Sequence, residues 1–98
     1  MIRHVVMFKF KPETPESARQ AFVAKLHALT DDIPVIRALE IGENFAEGSR
    51  ACDIVLMVDV ENDADLETYS NHPDHQPVKQ LSVEICSASH VVDYILPT

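Results

Sequence analysis

At 98 residues the chain has the size that one hydrophobic core can hold with little margin, and a single domain over 1–98 is expected. Sixteen Asp and Glu against eight Lys and Arg leave a formal charge of −8, a field that repels phosphate backbones and anionic lipid, so nucleic acid and membrane surfaces are excluded as partners. Cys52 and Cys86 lie in apolar segments without CxxC spacing, which suits two buried reduced thiols in a reducing cytoplasm better than a disulfide framework.

The opening MIRHVVMFKFKP has no small-residue cleavage site after an apolar stretch, and no apolar run approaches a membrane span. A soluble cytoplasmic protein is expected. Residues 2–11 are rich in β-branched and aromatic types and stop at Pro12, which predicts a strand with apolar groups on both faces. Thr14 followed by Pro15 predicts an N-cap and first helical position. Ala18, Phe22, Leu26, Leu29 and Ile33 then repeat at helical spacing up to Pro34. Residues 35–45 predict a second strand loosened around Gly42, and AEGSR the turn after it.

Residues 52–60, CDIVLMVDV, predict a third strand. Cys52, Ile54, Leu56, Val58 and Val60 share one face, with Val55 and Met57 on the other. Asn62 or Asp63 caps a short helix carrying Leu66 and Tyr69 that must end near Pro73, with a further turn or two from about residue 78 to 81. SASHVVDYIL predicts the last strand.

This order, β-α-β-β-α-β, predicts an α+β, ferredoxin-like fold with both helices on one face of an antiparallel sheet. The first and third strands are then central, and they are the two that are apolar on both sides. Val5, Met7, Val55 and Met57 would lie bare, so a homodimer packed through its sheet faces, a dimeric α/β barrel, is expected.

On the helix side, YSNHPDHQPV at 69–78 places Tyr69, His72 and His75 around a forced bend. Phe8, Phe22, Leu26, Ile54 and Leu56 are predicted to line a pocket with Tyr69, His75 and His4 at its mouth and His72 beside them. Such a cavity is apolar with a few convergent polar groups, as small-ligand sites are. An imidazole takes a proton near neutral pH and a phenol holds a carbonyl oxygen as charge builds on it, so the set suits enolisation.

Plainer readings stand beside this one. A His-Pro pair after a helix serves as a stop signal, His4 as a strand residue bonded to backbone, and Tyr69 as core. His27 and His90 read as structural or solvated. His72 and His75 have the spacing of two metal ligands, with Asp74 or His4 to add. Pro73 and Pro77 constrain that backbone and no fourth ligand is in view, so no metal is expected. Without a glycine-rich phosphate loop, zinc cysteines or a Ser-His-Asp order, no cofactor is expected either.

The stretches RHVVMFKFK, IGEN, CDIVLMVDV and above all YSNHPDHQPV resemble the stress-responsive alpha/beta barrel domain family, the dimeric A/B barrel proteins. The resemblance covers nearly the whole chain and implies a ferredoxin-like subunit, a homodimer through its sheets and a pocket between sheet and helices. The family includes a plant polyketide cyclase that closes a linear poly-β-ketone with a His as base and a Tyr as its partner. By motif these are His75 and Tyr69, with His4 as the strand-one histidine and His72 the more structural of the pair. The resemblance thus implies binding of a small carbonyl compound with aldol cyclase or isomerase activity. The alternatives are a non-catalytic, stress-linked binding dimer and a cofactor-free monooxygenase on the same fold.

Overall fold

Strand period and helix period decide which side chains share a face, and pairing decides which faces meet. The structure, a computed structural model, describes residues 1–97. Its elements are β1 (Ile2–Phe10), α1 (Glu16–Asp32), β2 (Ala38–Glu43), β3 (Ile54–Val60), α2 (Asp63–Asn71), a 3₁₀ turn (Pro73–His75), α3 (Gln76–Ile85) and β4 (Cys86–Ile95). The sheet is antiparallel in the order β2-β3-β1-β4. The doubly apolar strands β1 and β3 are indeed the central pair, in the register Val5↔Met57 and Phe8↔Ile54.

One face is packed under helices. Ile2, Phe8 and Phe10 of β1 and Ile54, Leu56, Val58 and Val60 of β3 are buried against Phe22, Leu26 and Leu29 of α1. The ring of Phe22 meets Phe8 and Phe10 edge-on, with centroids 5.1 and 6.0 Å apart. The opposite face stays open. Met7, Val92 and Tyr94 are 39, 56 and 41% exposed there, and Val5, Val55 and Met57 are half-buried. At its end Arg3, opposite Asp59 in the β1–β3 register, grips that carboxylate through two donors at 2.8 and 3.0 Å.

Several element ends depart from the sequence reading. Pro15 adopts an extended ψ of 154° and is itself the cap residue, so α1 begins at Glu16. The Thr14 hydroxyl instead donates to the Ile85 carbonyl at 3.1 Å, tying the start of α1 to the end of α3. β2 is shorter than 35–45 because its pairing with β3 stops at Glu43↔Ile54. β3 starts at Ile54, and Cys52 lies outside it. There Asn44 Nδ2 donates to the Cys52 carbonyl at 2.7 Å and closes the 44–53 loop. The turn foreseen near 78–81 is a full helix, since Pro77 falls in its first turn, where the missing N–H costs nothing. Both cysteines are free and half-buried.

Asn62 caps α2 as expected, its Oδ1 accepting from the Asp65 N–H at 2.9 Å. Asn62→Ala is expected to lower stability by about 1 kcal/mol, a drop of about 4–8 °C in Tm by calorimetry. Asn62→Ser should restore most of it. An unchanged melting point in the alanine variant would mean that α2 is held by packing alone.

Candidate functional site

The bend between α2 and α3 builds the site. Pro73 demands an extended residue before it, and His72 supplies one (φ −61°, ψ 137°). The His72 Nδ1 accepts from the Asp74 N–H at 3.1 Å, so this ring caps the 3₁₀ turn. That turn rotates His75 inward until it is 8% exposed. Its ring then lies over Tyr69, centroids 4.5 Å apart and tilted by 34°. Tyr69 and His72 stand three positions apart, one helical turn, but the chain leaves the helical path at His72 and the ring that meets Tyr69 is His75.

These rings line a cavity of about 190 Å³ between sheet and helices. Its floor is His4, Val6 and Phe8 of β1 with Leu56 of β3; α1 adds Leu26, and the α2–α3 bend adds Ser70, Val78 and Lys79. Of the expected pocket residues, Phe8, Leu26, Leu56, Tyr69, His75 and His4 are brought together there. Three are not. Phe22, with 0% exposure, is shut between Phe8 and Phe10 in the core; Ile54 is buried at the start of β3; and His72 is spent on capping.

His75 Nδ1 faces the Ser70 carbonyl at 3.3 Å. As a donor there it leaves Nε2 as the ring nitrogen able to accept a proton. Burial pushes the His75 pKa below its ordinary value, with the Lys79 ammonium and the His4 ring acting in the same direction. Burial also pushes the Tyr69 phenol up, so it stays protonated. The Tyr69 hydroxyl is buried and has no hydrogen-bond partner among the described residues. His4 sits edge-on to Tyr69 with centroids 5.6 Å apart. Its Nδ1 lies 2.5 Å from Asp93 Oδ1, its register partner on β4.

Asp93, Lys79 and Ser70 were missed by the sequence reading. Lys79 was findable, since it follows His75 by four positions on a helix and so shares its face. Asp93 becomes visible as a partner of His4 only once the β1–β4 register is known. Among the described residues no three His, Cys, Asp or Glu side chains are gathered as a metal ion would need.

Because burial holds the folded-state pKa of His75 below 6.5, the unfolded chain takes up that proton first as pH falls. The His75 contribution to stability is therefore fully present above about pH 6.5 and is lost as pH drops through the folded-state value. Thermal melts are expected to fall through that window, and His75→Gln to flatten part of the slope. If the slope is the same in the variant, another group controls it.

A four-stranded antiparallel sheet in this order with its helices on one face defines the ferredoxin-like class, and solved structures of that class superpose on the chain. One, from Bacteroides fragilis and described as dimeric with a ferredoxin-like fold, is 26% identical with a TM-score of 0.79, over 97% of this chain and 95% of that one. A hydroxynitrile lyase from Passiflora edulis, 15% identical, superposes with a TM-score of 0.89 over 98% of this chain and 93% of its own, a likeness of fold alone. The chain belongs to the stress responsive A/B barrel domain family, whose model matches residues 2–96. A stress-response A/B barrel domain-containing protein of Arabidopsis thaliana is 29% identical over 96 residues, which are 97% of this chain and 36% of that protein. The chain thus spans about a third of that relative's length. No helix among the described residues is long and apolar enough to cross a membrane.

Proposed function

We propose that this chain forms a homodimer through its open sheet face and binds a small, partly apolar carbonyl compound in the helix-side cavity, where His75 and Tyr69 promote its enolisation. The observation that carries the reading is the buried Tyr69 hydroxyl, without a partner among the described residues, beside a neutral imidazole. A buried donor left unmade costs about 1–3 kcal/mol, and a guest's carbonyl oxygen would satisfy it. His75 Nε2 takes a proton from the carbon next to that carbonyl, the C–H electron pair moves into the new C=C bond, and the Tyr69 O–H stabilises the charge arriving on oxygen. Returning the proton to the other side of the guest, or attack of the enolate carbon on a second carbonyl, gives isomerase or aldol-type chemistry. His4, held by Asp93, completes the wall beneath the Tyr69 ring.

The cavity is open on one side, so its size sets the part of the guest that it holds. An enclosed apolar space of about 150 Å³ takes one benzene, so about 190 Å³ holds roughly one ring.

The test is solvent exchange. Hexane-2,5-dione in heavy water, followed by proton NMR with and without the protein, is expected to lose the protons beside its carbonyls faster with protein present. Binding without faster exchange would leave the non-catalytic reading.

A further inference from the structure

The inner stripe of α3 should be apolar, because it faces the sheet. Its positions 78, 79 and 82 instead present Val78, Lys79 and Ser82 to the cavity, beside His75 at the end of the 3₁₀ turn. A half-buried lysine on the inner face of a helix is the exception that asks for a partner. Lys79 Nζ donates to the Ser70 carbonyl at 2.6 Å and reaches Ser70 Oγ at 3.3 Å. That carbonyl is the same oxygen that faces His75 Nδ1, so the ammonium and the imidazole are fixed against one another. An ammonium has three donors, and among the described residues no carboxylate pairs with Lys79.

The distribution of charge sharpens this. The chain has 16 acidic residues, and none of them lines the cavity. Asp93, which bonds the cavity residue His4, is engaged by it. A strongly acidic protein thus lines this hollow with Lys79, two histidines, Tyr69 and three serines but with none of its own anions. The other lining residues are apolar. A single ammonium is a point charge suited to a carboxylate; a phosphate calls for several converging donors or an arginine fork.

We propose that Lys79 holds the carboxylate of the guest, so that the site takes small oxo acids of about one-ring size, with the ketone at Tyr69 and His75 and the carboxylate at Lys79. This rests on the enolisation reading for the ketone end and adds the acid end. With the hydrogen bonds to Ser70 locating the ammonium, the guest would be pinned at two points, which fixes the carbon facing His75.

The test compares 4-oxopentanoate with its neutral counterpart hexane-2,5-dione, titrated into the protein and followed by NMR shifts of the histidine rings. Wild type is expected to bind the acid at least about tenfold more tightly, the scale of one charge-assisted hydrogen bond. Lys79→Met is expected to erase that preference, bringing the affinities of the two probes within about twofold of each other, with an unchanged thermal melt reporting that the fold is intact. Lys79→Gln, which keeps a donor for the Ser70 carbonyl, should behave alike and guards against loss of fold. Equal binding of the two probes by wild type, or a preference that survives both substitutions, would overturn the carboxylate assignment. Exchange of the dione without an acid preference overturns it alone; an acid preference without exchange sinks the enolisation reading and leaves the carboxylate site standing. If neither probe binds, both fall.

Discussion

Tyr69→Phe is expected to slow ketone exchange by about 10²–10³-fold while leaving the melting temperature equal to or above that of wild type. The two effects have one cause. The hydroxyl is buried and makes no hydrogen bond among the described residues, so the folded protein carries its desolvation cost without return until a guest accepts from it. Removing it relieves the fold and deprives the developing oxyanion of its donor. His75→Ala should lose more, about 10²–10⁴-fold, because the proton acceptor itself is gone. That variant also opens space over the Tyr69 ring and is expected to melt lower. The phenylalanine variant is therefore the decisive one: a rise in melting temperature with exchange unchanged would reduce Tyr69 to a packing residue.

Val5→Asp is expected to turn a dimer into a monomer in sedimentation at micromolar concentration. Val5 pairs with Met57 on one side and Val92 on the other, at the middle of the open apolar face. A twofold interface would place the new carboxylate there twice, and each buried unpaired charge costs several kcal/mol, so the dimer should weaken by at least about 10³-fold. Gln80→Asp, on the exposed side of α3, should remain dimeric. If wild type sediments as one chain, or Val5→Asp remains a dimer, the sheet face is not the interface. Edge strand β4 widens that open face, with Val92 and Tyr94 56 and 41% exposed on it. A partner subunit would therefore have more to cover than the four residues Val5, Met7, Val55 and Met57.

The order of elements, the central position of β1 and β3 and the inward stripe of α1 were legible in residue order alone. Each follows from a short-range period: two along a strand, 3.6 along a helix, with prolines as stops. His75 and Tyr69 were also reachable, because the bend that stacks them is written locally in His72–Pro73. What no local pattern contains is the meeting of distant segments. His4 faces Asp93 across 89 positions of sequence because the β1–β4 register brings them level. Phe22 left the predicted pocket because two rings of β1 closed on it, and His72 was turned to capping by the amide of Asp74. Spacing states which side chains share a face of one element; only the packing of elements decides which faces enclose a hollow and which fill the core.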